Sequence, residues 1–408
     1  MKIGIIGAGA SGLMAAYSAS ENDNEVFLFE KNEKIGKKLY ITGKGRCNIT
    51  NMKPIEELLD HVVTNKNFLY SAFYTFTNHD LVRFLESNGL KVKVERGERV
   101  FPESDKSSDV ITTFGKVLSK RKVKIYLNEN VLKISKTDNR FLISTVNNNY
   151  YVDKLIVATG GMSYQATGST GDGYAFAQGF GHKITEIIPS LVPIIHNNPE
   201  LETLQGVTLE NIELKVKTQG KTYVEFGDLM FTKNGITGPT VLRISSKINK
   251  LRSEDLRISI DLKPSLSFEK LDSRILRDFK NNQNKSVINA IEKISTKSLI
   301  PIILSRAEVN KDTKVNQLKK EDRLNIVNSI KNFYLSFNSL DDINHAIITS
   351  GGISVKEINS STMESKVVKN LYFAGEIIDV DALTGGYNLQ IAFSTGYLAG
   401  LSASKEEI

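Results

Sequence analysis

The 408-residue sequence contains a single cysteine, Cys47, and only five histidines. One cysteine excludes an intrachain disulfide framework and a redox motif of two cysteines. The histidines do not have the spacing of metal ligands, which argues against a structural metal site. No apolar run approaches the roughly 18 residues that a membrane-spanning helix needs. What is left is an ordinary globular composition, 40% hydrophobic and 24% charged, long enough for two or three domains.

The first residues predict a buried strand. Lys2–Ile6 is apolar and begins almost at once, without the basic region, longer apolar core and small-residue cleavage site of a signal peptide. We therefore expect a cytoplasmic protein that does not associate with membranes.

Positive charge is unevenly distributed along the chain, whose net charge is +7. Residues 31–53 contain seven Lys or Arg against Glu33 alone, and residues 191–345 contain 24 basic and 19 acidic side chains. Scattered lysines are typical of a solvated surface. The 31–53 cluster is different, because it follows a glycine-rich motif and alternates with glycines. Such a cluster can neutralise a pyrophosphate or attract a polyanion.

The N-terminal pattern predicts a parallel βαβ unit. Lys2–Ile6 leads into a glycine-rich turn, then a helical stretch through Ala16 and Ala19, then the apolar run Val26–Phe29. A second buried-strand candidate, Lys154–Ala158, runs into another glycine turn.

After about residue 190 the pattern changes. Residues 212–226 and 256–262 alternate apolar and polar side chains, as antiparallel strands with one solvated face do. Residues 266–337 have helical periodicity, which is clearest from Leu324 to Tyr334. The parallel pattern returns near residue 346.

We therefore predict an α/β fold made of a discontinuous, Rossmann-like nucleotide-binding domain and an inserted domain. The first comprises residues 1–190 and 345–408. The insert comprises residues 191–344, antiparallel β to about 264 and helical from about 265.

The glycine-rich turn matches a dinucleotide-binding motif. Gly7, Gly9 and Gly12 have the G-x-G-x-x-G spacing, after a strand and at the start of a helix. The first permits a tight turn, the second lets the backbone approach a pyrophosphate, and the third lets helix and strand pack closely. Glu30, at the end of the next strand, is placed to accept hydrogen bonds from the adenosine ribose. NAD and FAD both satisfy this pattern.

The C-terminal region favours FAD. An apolar strand from Leu371 leads into Gly375, with the carboxylates Glu376 and Asp379 close behind, and the pair Gly385-Gly386 then opens a helix. Carboxylates can hold the ribityl hydroxyls. The helix N-terminus can face the N1/C2 edge of the flavin, where negative charge collects on reduction. A nicotinamide nucleotide has no ribityl chain and needs no such second half-site.

Nearly the whole chain resembles the HI0933-like flavoprotein family, the BaiN or YhiN type that is also called the aminoacetone oxidase family. The resemblance implies a glutathione-reductase-type FAD-binding fold, related to fumarate-reductase flavoproteins, with an inserted domain. Lys44 departs from the pattern at a position where relatives often have Gly, which adds charge near the cofactor. The matching stretches are Gly36–Asn51, Ala158–Gly181, Gly227–Pro239, Thr349–Val355, Thr362–Lys366 and Leu371–Gln390.

The motifs and the resemblance together predict the cofactor site. By resemblance, Arg46 would pair with phosphate or stabilise an anionic reduced flavin, Asn48 would hydrogen-bond the cofactor, and Val131 would make a backbone contact to adenine. The predicted FAD-binding residues are Gly7, Gly9, Ala10, Ser11, Gly12, Glu30, Lys31, Lys38, Arg46, Asn48, Val131, Ala158, Thr159, Gly160, Gly375, Glu376, Asp379, Gly386, Asn388, Leu389 and Gln390.

The catalytic residues stay unassigned, with Cys47 and Tyr387 as candidates. A thiolate nucleophile needs a cationic neighbour, and Arg46 is adjacent in sequence; the alternative for Cys47 is a small buried hydrophobe. Tyr387 would lie near the isoalloxazine by resemblance. His182 and His345 are treated as ordinary polar residues. No Ser/His/Asp or paired-carboxylate pattern indicates a hydrolase.

A second glycine-rich run, Gly168–Gly173, precedes another helical stretch. It could be an NAD(P)H site or a structural turn. We favour the turn, because no complete strand–turn–helix–strand–acid pattern surrounds it.

The resemblance covers two enzymatic functions for a flavin oxidoreductase. One is reduction of uridine to dihydrouridine in ribosomal RNA, with NAD(P)H as the electron source. The other is oxidation or reduction of a small molecule, an amine such as aminoacetone or an enone. A third hypothesis is a non-catalytic flavin-binding protein. The basic segments modestly favour RNA, although no RNA-binding module or interleaved aromatic residues are present.

Overall fold

The computed structural model describes residues 1–137, 139–251 and 256–406. The chain forms two compact units, one of Met1–Ser190 with Ile343–Ile408 and the other of Leu191–Asp342. Among the described residues, no helix combines the length and the apolar character needed to cross a membrane.

The first unit contains most of the strands. They are β1 (Lys2–Ile6), β2 (Glu25–Phe29), β3 (Thr50–Asn51), β4 (Val62–Thr64), β5 (Val92–Glu95), β6 (Arg99–Pro102), β7 (Lys124–Tyr126), β8 (Val131–Thr137), β9 (Arg140–Thr145), β10 (Asn149–Val152), β11 (Lys154–Val157), β12 (Ile188–Ser190), β20 (Ile348–Ser350), β21 (Leu371–Phe373) and β22 (Asp381–Ala382). Its helices are α1 (Ala10–Ala19), α2 (Lys37–Ile41), α3 (Ile55–Asp60), α4 (Tyr70–Thr75), α5 (Asn78–Ser87), α6 (Ser107–Lys120), α7 (Asp172–Gly179) and α13 (Tyr387–Ala403).

The second unit has a mixed composition. Its strands are β13 (Ile194–His196), β14 (Thr208–Lys217), β15 (Thr222–Phe231), β16 (Gly235–Thr237), β17 (Arg257–Asp261), β18 (Phe333–Leu335) and β19 (Phe337–Leu340). Its helices are α8 (Pro239–Ile248), α9 (Phe268–Lys280), α10 (Val287–Ala290), α11 (Ile300–Arg306) and α12 (Lys320–Lys331).

A parallel sheet forms the centre of the first unit. Its strand order is β21-β11-β1-β2-β7, and neighbouring strands are parallel. Strands β1, β2, β11 and β21 are buried along nearly their whole length, as expected when helices cover a parallel sheet, whereas the edge strand β7 is partly exposed. The chain proceeds from β1 to β2 on one side and reaches β11 on the other. This reversal creates a crevice at the carboxyl end of β1, where doubly wound sheets bind their ligands.

Helices α1 and α13 pack against each other through small residues. A Cβ atom on Gly400 would lie 2.1 Å from Ser18 Oγ, and one on Gly396 would lie 2.3 Å from the Ser11 carbonyl oxygen. Ser18 Oγ donates to the Tyr397 carbonyl oxygen at 2.8 Å. The two ends of the chain therefore meet in one contact too close for larger side chains.

Smaller antiparallel sheets complete the first unit. Strands β8, β9 and β10 form a meander, β3, β6 and β5 form a second sheet, and β4 pairs with β22. Strands β12 and β20 pair with Ser190 opposite Ile348. This pairing holds together the two points at which the chain leaves and re-enters the first unit.

The second unit is an antiparallel sheet with helices. Its strand order is β18-β17-β14-β15-β16-β13-β19. Along β14, Ile212, Leu214 and Val216 are buried and alternate with more exposed residues. Helix α9 is joined to α12 by the ion pair between Asp272 and Arg323.

Two predictions about the insert are wrong in detail. The helical pattern was expected to reach Tyr334, but α12 ends at Lys331 and Phe333–Leu335 forms β18. Phe333 and Leu335 are buried while Tyr334 is exposed, a period of two that pairing with β17 satisfies. Strand β17 was expected to have a solvated face, yet Asp261 is buried, with its charge paired to Lys331 at 2.6 Å.

Candidate functional site

The turn between β1 and α1 is made of glycines in contrasting surroundings. Gly7 has φ +99°, and a Cβ atom there would lie 2.5 Å from the Ala158 carbonyl oxygen. A Cβ atom on Gly12 would lie 1.8 Å from the Gly7 carbonyl oxygen. At Gly9, no atom of the described residues beyond its chain neighbours lies within 4 Å of the position that a Cβ atom would take. The turn is therefore closely packed at Gly7 and Gly12 and open at Gly9, where a ligand can approach the backbone.

The open position is also the N-terminus of α1. Gly9 precedes the helix without a side-chain cap, and no acidic residue lies in the first turn. The first N–H groups of a helix have no partner within it and carry the positive end of its dipole. The amides of Ala10 and Ser11 therefore favour an anionic phosphate at the crevice beside β1.

The C-terminal half-site adjoins this turn. Gly375 has φ +80°, and a Cβ atom there would lie 2.4 Å from Ser11 Oγ. The Gly375 N–H donates to Thr395 Oγ1 of α13 at 3.0 Å. Residues from the first dozen and the last forty positions therefore surround one crevice.

Glu30 is held at the carboxyl end of β2. Its carboxylate accepts hydrogen bonds from the Ala8 N–H at 2.8 Å and the Asn32 N–H at 2.9 Å. The Glu129 N–H donates to the Glu30 carbonyl oxygen at 2.9 Å, so the start of β8 at Val131 lies beside it. The predicted ribose and adenine contacts therefore come from adjacent segments.

The second glycine-rich run packs against the residues that follow Glu30. Lys31 Nζ forms an ion pair with Asp172 at 2.7 Å. A Cβ atom on Gly168 would lie 2.5 Å from Asn32 Nδ2. Gly160 is close by, since a Cβ atom there would lie 3.1 Å from Ser169 Oγ. These contacts are those of a tightly packed turn.

Lys38 and Glu376 form the centre of a polar network. Lys38 Nζ lies 2.7 Å from Glu376 Oε2 and donates to Ser163 Oγ at 2.7 Å. Glu376 Oε1 accepts from the Thr349 N–H at 2.9 Å and from Ser163 Oγ at 3.0 Å. The network holds this carboxylate directly after Gly375, at the carboxyl end of β21.

Three buried oxygens close to this network have no hydrogen-bond partner among the described residues. They are Thr159 Oγ1, Tyr174 Oη and Asp379 Oδ1. The other oxygen of Asp379 accepts from Asn65 Nδ2 at 3.2 Å. Burial, with Glu376 and Asp379 nearby, raises the pKa of Tyr174. Buried polar atoms without partners are costly, so a polar ligand that supplies them would be stabilised.

The N-terminus of α13 is fixed by side-chain amides. In the orientation that satisfies both of its polar atoms, Asn48 accepts from the Gly386 N–H at 3.0 Å and donates to the Thr50 carbonyl oxygen. Asn388 donates to the Ala382 carbonyl oxygen and accepts from the Ala382 N–H, which closes the loop before the helix. Asn388 thus organises this loop through its side chain.

The remaining predicted cofactor residues in this region are apolar or fully engaged. Gln390 is buried, accepts from Thr50 Oγ1 and donates to Ser394 Oγ. Ala158 is buried at the end of β11, and Leu389 is half-buried in the first turn of α13.

Arg46 lies in an ion-pair network. Its guanidinium contacts Glu95 at 2.5 Å and Asp105 at 2.6 Å, and it lies 4.2 Å from the centre of the Phe101 ring. The hydrogen bonds that the Arg46 guanidinium donates to these carboxylates raise its pKa. Its charge is already compensated, and a contact with phosphate stays a prediction.

Most of the basic cluster at 31–53 is likewise compensated by carboxylates. Five of its seven cations are in ion pairs with carboxylates, namely Lys31, Lys37, Lys38, Arg46 and Lys53. The excess of +6 in the linear sequence therefore does not persist as a surface of the same charge.

The two catalytic candidates are both buried. Burial raises the pKa of the Cys47 thiol to about 12, so the thiol is protonated at neutral pH and lacks nucleophilic character. The pKa of Tyr387 is raised to about 12, mainly by burial and to a smaller extent by the negative charge of the nearby Glu57. The Tyr387 ring stacks on His61, with ring centres 4.3 Å apart. Tyr387 thus holds its proton at the N-terminus of α13.

Both histidines that the sequence analysis treated as ordinary polar residues belong to the first unit. His182 is buried between Glu357 and Ser365, and burial lowers its pKa. His345 lies in a short turn at Ile343–His345.

Sequence reasoning missed several residues of this site. Asn65 and His61 lie outside the stretches that resemble the family, whereas Ser163, Tyr174 and Thr349 lie inside them but were not singled out. Each reaches the site through an interaction with a residue distant in sequence. The signals that could have found them are modest. Tyr174 directly follows Gly173 in a stretch that resembles the family, and Asn65 has the left-handed backbone that marks a special turn.

Comparison with known proteins identifies the family. Residues 1–402 match the HI0933-like protein Rossmann domain. The chain belongs to the HI0933-like family. A 3-dehydro-bile acid delta(4,6)-reductase of Clostridium scindens is 30% identical, with 99% of each chain covered. Ribosomal RNA dihydrouridine synthases of Haemophilus influenzae and Escherichia coli are 30% and 29% identical, covering 98% and 96% of this chain and 98% and 95% of theirs.

Solved structures share the fold of this HI0933-like chain. A 3-ketosteroid-delta4-(5alpha)-dehydrogenase from Rhodococcus jostii RHA1 matches with a TM-score of 0.52 at 12% identity, covering 99% of this chain and 96% of that one. A flavocytochrome c3 fumarate reductase matches with a TM-score of 0.50 at 15% identity, covering 99% and 78%.

The protein is an oxidoreductase with an FAD-binding fold. Its residues fit such a cofactor, because Gly9 leaves space beside a helix N-terminus and Asp379 presents a buried, unpartnered oxygen. The described residues contain no group of His, Cys, Asp and Glu that could hold a metal ion.

Proposed function

We propose that this protein reduces a uridine of ribosomal RNA to dihydrouridine, with FAD as its cofactor and NAD(P)H as the electron source. The observation that carries the proposal is that two relatives named for this activity match 98% and 96% of this chain. In the reaction the C5–C6 double bond of uracil gains a hydride and a proton while NAD(P)H is oxidised to NAD(P)⁺. When bound, the flavin supplies the two-electron chemistry between them.

The chain's own residues hold and orient the cofactor in this proposal. The amides at the start of α1 bind the pyrophosphate, and Glu30 binds the adenosine ribose. Asp379 uses its free oxygen on the ribityl hydroxyls, beside Glu376. The N-terminus of α13 would lie at the pyrimidine edge of a bound flavin, where its dipole would favour negative charge.

Tyr387 is the candidate proton donor. Its phenol is protonated across the physiological range, since its pKa is raised to about 12. It stands at the first position of α13, next to Gly386. From there it can give a proton to the α-carbon of a carbonyl-conjugated double bond as hydride arrives at the β-carbon.

A small enone is the second candidate substrate. The relative from Clostridium scindens is named for reducing a 3-dehydro-bile acid, in which the double bonds are conjugated to a carbonyl group. Uracil presents the same arrangement, because its C5–C6 bond is conjugated to the C4 carbonyl. One flavin site can therefore serve either chemistry, and the surface that holds the rest of the substrate selects between them.

The test measures dihydrouridine in ribosomal RNA. We expect it to be absent from a strain that lacks this gene and restored by the wild-type gene but not by Asp379→Ala. Unchanged dihydrouridine in the deletion strain would exclude the RNA substrate. Purified holoprotein is then assayed with NAD(P)H and a cyclic enone, and turnover there alone would establish the second candidate.

A further inference from the structure

We propose that the helical part of the second unit carries a surface for the phosphate backbone of structured RNA. This inference rests on the proposed function and names the part of the chain that holds the polynucleotide. The lysine surface consists of Lys280, Lys285, Lys311, Lys314, Lys319 and Lys320, all of which are exposed.

Backbone pairing brings the two segments of this surface together. Ser286 and Lys314 form an antiparallel bridge. The Val315 N–H donates to the Lys285 carbonyl oxygen at 3.0 Å, and the Ile288 N–H donates to that of Lys311 at 3.3 Å. Lysines that are 26 or more positions apart in sequence are therefore neighbours here.

The charge of the lysine surface is uncompensated. None of its six ammonium groups forms an ion pair with any residue that the structure describes. Asp312 is the one acidic residue within 280–288 and 311–320. Glu321 and Asp322 follow, and Asp322 accepts from the Lys319 N–H to cap its own helix. The contrast with the 31–53 cluster, most of which is ion-paired, is what points to this surface.

The side chains around these lysines suit phosphate and sugar. Asn284, Asn316 and Gln317 are exposed among them, and Lys, Asn and Gln side chains are among those that hydrogen-bond to phosphate and sugar. Residues 280–320 contain no Phe, Tyr or Trp. Without aromatic rings there is no platform on which unpaired bases can stack. The surface therefore fits the backbone of an RNA duplex, and base recognition belongs to the flavin site.

The test removes charge from this surface and from a matched control. The holoprotein variant Lys285→Gln/Lys311→Gln/Lys314→Gln is compared with Lys91→Gln/Lys116→Gln/Lys120→Gln, which neutralises three exposed lysines of the first unit. Binding to a ribosomal RNA hairpin and to poly(U) is measured across a range of salt concentrations. A Lys→Arg triple variant at 285, 311 and 314 keeps the charge.

We expect the Gln variant to bind the hairpin at least about tenfold more weakly than the wild type at low salt. The slope of the logarithm of its binding constant against the logarithm of salt concentration should decrease in magnitude by about 2 to 3. The Arg variant and the control should bind as the wild type does, and NAD(P)H-dependent enone reduction, where it occurs, should be the same in all four proteins. Equal binding by the Gln variant, an equal loss in the control, or tighter binding of poly(U) than of the hairpin would overturn the proposal.

Failure of this surface is separable from failure of the proposed function. If deletion of the gene leaves dihydrouridine unchanged while the Gln variant no longer binds the hairpin, only the proposed function is refuted. If the Gln variant restores dihydrouridine and binds RNA normally, only the surface falls.

Discussion

Single residues show how burial assigns roles that residue type leaves open. Asp379 and Asp60 are both aspartates of the first unit, but Asp60 is exposed and paired with Lys66, whereas Asp379 is buried with one oxygen free. Cys47 and Arg46 are adjacent in sequence, yet the thiol is buried and the guanidinium is engaged by carboxylates. The burial and the partners of each side chain therefore determine its role in this protein.

Asp379→Ala should purify with much less flavin than the wild type. Loss of a charged hydrogen-bond acceptor costs about 1.5–3 kcal/mol, which weakens flavin binding roughly 10- to 100-fold. The absorbance ratio at 450 and 280 nm measures occupancy, and titration of stripped protein gives the Kd. Asp60→Ala is the control and should stay yellow. Full occupancy of Asp379→Ala would remove this residue from the site.

Cys47 should make folding stability fall at alkaline pH. The folded chain keeps the thiol proton up to about pH 12, whereas an unfolded cysteine loses it near pH 8.5. This stabilisation is complete below about pH 8.5 and is lost as pH rises through about 12. Urea unfolding between pH 8 and 11 should show a shallower decline for Cys47→Ala than for the wild type. Identical slopes, or rapid alkylation of native Cys47 at pH 8, would contradict the assignment.

At the scale of elements, the β1–α1 turn was predictable because its requirements are local. Glycine spacing after a buried strand specifies a tight turn, and the structure places that turn as predicted. Strand β18 was not predictable, because its short pattern fits the end of a helix until β17 supplies a partner. The contact between α1 and α13 is likewise hidden in sequence, although the small residues that permit it are visible.

Gly9→Ala should separate folding from cofactor binding. Its backbone, at φ −78° and ψ −171°, is allowed for any residue, and its Cβ atom would meet no protein atom within 4 Å. The flavin-free variant should therefore melt at nearly the wild-type temperature while its flavin affinity falls about tenfold or more, because a methyl group intrudes on the pyrophosphate. Gly179→Ala, equally unobstructed, should change neither property. Wild-type flavin affinity in Gly9→Ala would place the pyrophosphate elsewhere.

For the whole molecule, folding pairs charges that lie far apart in the sequence. The 31–53 cluster was expected to be basic, but Lys31 and Lys38 find acidic partners 141 and 338 positions away. The six lysines of the lysine surface, by contrast, form no ion pair with any residue that the structure describes. Each unit also has its own hydrophobic core.

The first unit should bind flavin without the second. Strands β12 and β20 pair with Ser190 opposite Ile348, so the two ends of the first unit that flank the insert are already close. A short Gly/Ser linker can therefore replace residues 191–342. We expect a soluble yellow protein from this deletion. The isolated 191–342 fragment, whose ends pair through β13 and β19, should fold and remain colourless. A colourless first unit would show that cofactor binding needs the insert.

The sequence by itself determined the βαβ unit and the glycine turn, since these depend on periodicity and on residues a few positions apart. The second half-site for the cofactor and the bounds of the insert stay predictions. Only the tertiary structure decided which carboxylate oxygen is free, which thiol is protonated and which cations remain uncompensated. These properties arise from burial and from pairing between distant residues, and both come into existence only when the chain closes on itself.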